Sequence, residues 1–224
     1  MNQSQRTSFG LYETCRILLP GFYFATLVAF FSAAFRFNDT PPPIPFPAFI
    51  VFLFITIVSG LTMYAKETSK RRRAFVENQP STYLQNKARL LSQSEALGND
   101  EARRLYFYIL NNHVPPAFHD KIFFFGTVYH IMILIRRTSF WFGMFGLAGI
   151  FVRLASAIPL PDQRALIALT IIVWAIYFLN VRYNKADRKM QENYQDQIFW
   201  LEMNDDIVRD ILKKRRTYHK QNPL

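Results

Sequence analysis

Four stretches of this chain run long enough without charge to cross a lipid bilayer, and they constrain what it can fold into. A hydrocarbon core about 30 Å thick takes roughly 20 apolar residues as a helix. Ile17–Phe35 offers 19 uncharged residues, Phe46–Ala65 offers 20 and Ala165–Val181 offers 17. Ser139–Ile158 adds 20 residues with a single charge, Arg153. No A-x-A cleavage site follows the first stretch and three more spans do, so a cleaved signal peptide is not expected. A mean hydropathy of +0.02 hides these blocks by averaging them with strongly basic ones.

The basic residues orient the spans. The two short connections, Arg36–Pro45 and Pro159–Arg164, hold only Arg36 and Arg164, with Arg153 nearby, whereas the other 24 of 27 Lys and Arg lie elsewhere. Positive charge stays on the cytoplasmic side, which puts both termini and the segment between the second and third spans in the cytoplasm. Seven of 12 prolines cluster at the external connections, making them stiff and compact. Function is therefore sought in the membrane and the cytoplasm. The single cysteine, Cys15, excludes an intrachain disulfide and reads as a small apolar side chain near the membrane boundary.

The expected organisation follows from these limits. Residues 1–65 carry the N-terminal segment and two spans, 66–138 a cytoplasmic helical segment, 139–181 two more spans and 182–224 a cytoplasmic helix and tail. Helix is expected over Ser81–Leu97, stopped by Gly98, and again over Glu101–Asn112, capped by Asn99 or Asp100 and broken at Val114-Pro115-Pro116. Ile122–Ile135 is 14 uncharged residues running into Arg136-Arg137, too short for a confident span. It reads as a separate helix at the interface or packed beneath the bundle, or as a core helix between subunits. In the tail, Met190, Tyr194, Ile198, Leu201, Val208 and Leu212 recur at helical steps. That face suits packing on the middle segment or a self-associating stalk. No stretch alternates polar and apolar residues between turn signals, so the fold class is all-α: an integral membrane four-helix bundle with helical cytoplasmic extensions.

Catalytic chemistry finds no foothold. His113, His119, His130 and His219 make no H-x-x-x-H or H-E-x-x-H pattern, and no G-x-S-x-G, P-loop or G-x-G-x-x-G occurs. Arg104 stands nine positions before His113, which misses the Arg-x(4–6)-His pattern of HEPN-type ribonucleases. The four stretches contain no acidic residue, which disfavours a proton-coupled transporter. Neither an enzyme nor a cofactor or metal site is expected.

What the spans offer is small and weakly polar residues. Gly143, Gly146 and Gly149 step by three in the third span, and Thr56, Ser59 and Thr62 do so in the second. Either stripe reads as a tight internal contact or as a face turned to other subunits or a pore. Arg153 reads as snorkelling toward the external headgroups or as a pore or pairing residue. The run Lys70, Arg71, Arg72 and Arg73 suits anionic lipid or an anionic ligand. Lys87, Arg89, Arg103, Arg104, Lys121 and the Lys213–Arg216 run extend the basic region beyond the membrane edge. Tyr83, Tyr106, Phe107 and Tyr108, interleaved there, suit stacking on the bases of a nucleotide or nucleic acid, or ordinary core packing.

Tyr12-Glu13 with Arg16 and Pro20-Gly21, the Lys70–Arg73 run and Gly126–Tyr129 together resemble small four-span bacterial membrane proteins, the effectors or accessory proteins of antiphage and CRISPR-linked defence systems. The resemblance is architectural and spans the whole chain. It implies a homo-oligomeric channel or pore in the bacterial inner membrane, gated by a nucleotide or nucleic-acid signal. The alternative is a non-conducting anchor or scaffold that recruits a cytosolic partner.

Overall fold

The computed structural model describes residues 3–35, 46–74, 79–91, 97–156, 163–183 and 185–221, with side chains except at 3–9, 46, 67–74, 156, 163, 216 and 218–221. The chain is all-α, and no strand occurs among the described residues. The helices are α1 (Gln3–Ala34), α2 (Phe46–Ala74), α3 (Pro80–Leu91), α4 (Asn99–Asn112), α5 (Pro116–Ser156), α6 (Gln163–Tyr183), α7 (Lys185–Met203) and α8 (Asp205–Gln221). Four apolar segments are long enough to cross a membrane: Gly10–Ala34, Pro47–Lys66, and one within each of Pro116–Ala155 and Arg164–Met203. The chain divides into two compact units. One is Met1–Ser8, Lys70–Phe125 and Arg188–Leu224, and the other is Phe9–Ser69 and Gly126–Asp187.

The unit spanning Phe9–Ser69 and Gly126–Asp187 is held by close backbone approach. A Cβ built on Gly21 of α1 would lie 2.0 Å from the Thr56 carbonyl oxygen, and one on Gly60 of α2 would lie 2.2 Å from that of Ile17. Only glycine permits such contact, which in lipid takes the place of hydrophobic drive. The α5 glycines do the same work against side chains. Gly143 faces the Trp174 ring, Gly146 faces Thr170 and Phe31, and Gly149 faces Phe35. Leu27, Phe31, Ala34, Leu166 and Val173 form the buried core beside them. Pro20 lies inside α1 and supplies no amide to the Arg16 carbonyl.

Two expected boundaries need correction. No separate helix covers 122–135, because α5 is continuous from Pro116 to Ser156, 41 residues and roughly 60 Å at helical rise. Nothing in Arg136-Arg137-Thr138-Ser139 breaks a helix. Ser139 donates to the Ile135 carbonyl at 2.8 Å and shares a 2.8 Å hydrogen bond with Tyr23. Thr138 and Ser139 are buried, and Arg136 reaches Asp187 at 3.7 Å. The polar step in the sequence is an inter-helix contact. The tail likewise is two helices, since a turn at Asn204 separates α7 from α8. There the Asn204 side chain donates to the Trp200 carbonyl at 2.8 Å, competing with the backbone ladder.

In the other unit, α3, α4, α7 and α8 enclose Leu84, Ala88, Leu97, Ala102, Ile109, Leu201, Val208 and Leu212. Of the expected tail face, Met190, Leu201, Val208 and Leu212 are buried and Tyr194 and Ile198 half-buried, and the last three of the buried four pack with α3 and α4. The α4 N-terminus differs from expectation: Gly98 occupies the cap position, with no side-chain capping bond, and Asn99 begins the helix. Tyr106 is drawn inward and donates to Gln197 at 2.6 Å. Burial pushes its phenol far above the ordinary tyrosine range.

Ion pairs tie this unit across its helices. Lys87 of α3 meets Asp205 at 2.7 Å, and Arg209 meets the same carboxylate at 2.6 Å. The hydrogen bond from Lys87, reinforced by both positive charges, holds Asp205 below the usual carboxylate range. A depressed carboxyl stabilises the fold above its ordinary pKa, and that stabilisation is lost as pH falls toward the folded value. Asp205→Asn should therefore flatten the acid side of the melting curve between about pH 5 and about pH 3, read by circular dichroism. An unchanged slope would give the acid sensitivity to other groups.

Candidate functional site

The α4 and α8 helices leave a cleft of about 880 Å³ between them, lined by Leu105, Tyr108, His113, Ile207, Asp210, Ile211, Lys214 and Arg215. Its geometry follows from helical spacing. Leu105 and Tyr108 are three apart on α4, and Ile207, Ile211 and Lys214 fall four and three apart on α8, so each set shares a face. Buried Ile109, Val208 and Leu212 belong to the core of the same unit. Polar groups converge on the apolar surface. The Tyr108 and His113 rings meet edge to face at 5.9 Å.

Both cleft cations have carboxylate partners, of unequal strength. Arg215 forks onto Glu101 with two hydrogen bonds, one of 2.7 Å from Nη2 to Oε2, and its side chain is 18% exposed. Such a bidentate pair fixes position. Lys214 meets Asp210 at 2.7 Å, but these side chains are 77% and 60% exposed. An exposed pair of this kind contributes little and yields readily to a competing anion. The hydrogen bond and charge of Asp210 hold the Lys214 ammonium above the ordinary lysine range, so it is charged at neutral pH. The cleft presents an apolar floor, aromatic edges and one exchangeable cation.

Of the basic residues singled out in the sequence, Lys214 and Arg215 of the Lys213–Arg216 run line the cleft, and the other described ones do not. Lys70, Arg71, Arg72 and Arg73 lie in α2, and their side chains are outside the described residues. Lys87 pairs with Asp205 of α8 at 2.7 Å. Arg103 reaches Asp100 at 3.8 Å. Arg89 and Arg104 are exposed and make no ion pair among the described residues. Glu101 and Arg215 are 114 positions apart, a separation that no spacing rule bridges.

The candidate pore or packing residues divide between buried and open positions: Thr56 is buried, Ser59 half-buried and Thr62 exposed. Thr56 donates to the Phe52 carbonyl at 2.9 Å, Ser59 donates to Thr56 at 3.3 Å, and Thr62 to Val58 at 2.7 Å. Gly143, Gly146 and Gly149 face neighbours in the same chain. Arg153 is buried, donates to the Ala34 carbonyl at 3.0 Å and lies over the Phe35 ring, 5.4 Å from its centre. It caps the free carbonyls at the end of α1, as a cation near a helix C-terminus does.

A second polar cluster was missed in the sequence. Glu13 and Arg16 pair at 2.7 Å on α1. Tyr64 of α2 donates to Glu13 at 2.5 Å, and Arg16 donates from Nε to Thr127 of α5 at 3.0 Å. His130 meets the Tyr64 ring edge to face at 5.4 Å. The first apolar segment extends back to Gly10 and includes this pair, so an acidic residue does stand within a candidate span. The Glu-x-x-Arg spacing was the available signal.

No protein-family model, no curated protein and no solved structure matches the chain. The site therefore rests on its own residues.

Proposed function

We propose that the chain is an integral membrane protein of a bacterial inner membrane, whose four spans form a non-conducting anchor for a cytoplasmic unit that receives an anionic ligand in the α4–α8 cleft. The charge asymmetry of the sequence supports the orientation, with both termini cytoplasmic. One observation carries the anchor reading: the α5 glycines suited to line a pore pack on side chains of the same chain, and a Cβ at Gly146 would lie 2.3 Å from Thr170 Oγ1. The cleft suits a ligand with an aromatic body and a phosphate, a nucleotide or short oligonucleotide, whose arrival would recruit a cytosolic partner.

A gated pore built from several copies is the second reading. It is favoured by the open apolar faces of α2, where Phe54 is 66% exposed and Phe49, Ile57 and Leu61 are also exposed. Two measurements on the full chain in liposomes separate the readings. A fluorescent adenine nucleotide should bind, and Lys214→Glu should weaken it about ten-fold while Arg89→Glu leaves it unchanged. Dye or ion flux should stay at the level of empty liposomes with and without the nucleotide. Flux that rises with nucleotide replaces the anchor by the pore, and failure of every nucleotide to bind removes the ligand reading.

A further inference from the structure

Arg153 leaves two buried donors unsatisfied. The side chain is 6% exposed, and while Nη2 is bonded to Ala34, neither Nε nor Nη1 has a hydrogen-bond partner. A guanidinium is always charged and carries five N–H groups in a rigid fork that matches phosphate. No carboxylate meets it among the described residues. Stranding such donors away from water is costly, so a site of this kind is completed by an anion.

The surroundings say which one. A groove of about 510 Å³, lined by Val28, Phe31, Ser32, Phe35, Trp141, Phe142 and Phe145, runs between α1 and α5. Its lining is apolar apart from Ser32, and Trp141 is 65% exposed. Phe35 joins groove and cation, for it lines the groove, packs on Phe145 at 5.2 Å between ring centres and carries Arg153 over its face.

We infer that Arg153 and this groove together bind an anionic phospholipid, one acyl chain lying along the aromatic wall and the phosphate accepting hydrogen bonds from Nε and Nη1. Phe35, shared by the two, sets the guanidinium beside the groove. Charge complementarity selects the lipid: a neutral chain fills the groove alone, and a free phosphate leaves it empty. Proximity to two N–H donors of fixed geometry favours a phosphate ester over a diffuse surface charge.

Trp141 reports occupancy directly. With Trp174→Phe and Trp200→Phe in place, its fluorescence in bilayers should be quenched by phosphatidylglycerol brominated on the acyl chain. The apparent affinity should be about five-fold above that of brominated phosphatidylcholine. Arg153→Gln should bring the ratio to about one and preserve quenching by the neutral lipid. Ser32→Phe, which fills the groove and spares the cation, should reduce quenching by both lipids and so serves if the Arg153 variant does not fold. Equal quenching by both lipids in the unsubstituted protein overturns the proposal, as does a preference that survives Arg153→Gln. Weak quenching by both lipids with a doubled particle size in detergent gives the groove to a second copy instead.

Discussion

Gly60→Ala should destabilise the protein by about 3 kcal/mol, read by reversible unfolding in mixed micelles of mild and denaturing detergent. Two effects compete. Alanine is the better helix former by about 1 kcal/mol, which favours the variant. Against it, the new methyl would stand 2.2 Å from the Ile17 carbonyl oxygen, so α1 and α2 must part along their crossing. Steric separation of two backbones outweighs propensity, because Gly21 and Thr56 are pulled apart with them. Gly10→Ala is the control, since nothing lies within 4 Å of its Cβ site and propensity alone acts there. It should stabilise by about 0.5–1 kcal/mol. A Gly60 variant as stable as the Gly10 variant would show that the helices do not cross at this point.

The second large effect concerns Glu13 and Arg16. Removing one partner of a buried ion pair costs about 3–5 kcal/mol, because the other charge is stranded. Here the side chains retain 23% and 13% exposure, so screening lowers the expectation to about 2 kcal/mol for Glu13→Gln or Arg16→Gln alone. The double variant should also lose about 2 kcal/mol, well short of the sum of the singles. Strict additivity would mean that each residue acts through its other partner, Tyr64 for Glu13 and Thr127 for Arg16. The cycle therefore weighs the pair against the three-helix network that surrounds it.

These two sites mark where the sequence is legible and where it is not. Uncharged runs are a local property, so the segments fated to cross a membrane stand out, as does the helical face from Met190 to Leu212. The glycines of α5 announce close packing by their spacing. Their partners, Trp174, Thr170 and Phe35, depend on how helices pair, and nothing local encodes that. Charge is misleading in both directions. Starting the first apolar run at Ile17, after Arg16, hid a candidate span that begins at Gly10, because two opposite charges one helical turn apart neutralise each other only in three dimensions. Lys87 looked free as a ligand contact because Asp205, its partner, lies 118 positions away in the chain. The cleft was legible only in parts. The Lys213–Arg216 run and Tyr108 stand out as basic and aromatic residues, but that they meet depends on α4 and α8 packing side by side. Thr138 and Ser139 looked like the edge of a span and are instead buried in the middle of α5.

The cap that Arg153 places on α1 also bears on how the protein is made. An arginine raises an apolar helix's cost of entering the bilayer, by up to about 2.5–3.5 kcal/mol at the centre and by less in the last turn, where Arg153 lies. The carbonyl that receives it, at Ala34, belongs to a helix that precedes α5 in the chain, and α1 with α2 emerges from the ribosome before α5 is complete. The earlier hairpin thus acts as an acceptor already in place when the unfavourable helix arrives. Order of translation and order of packing coincide, and a version of the chain permuted to begin at α5 would have to insert Arg153 with no acceptor waiting.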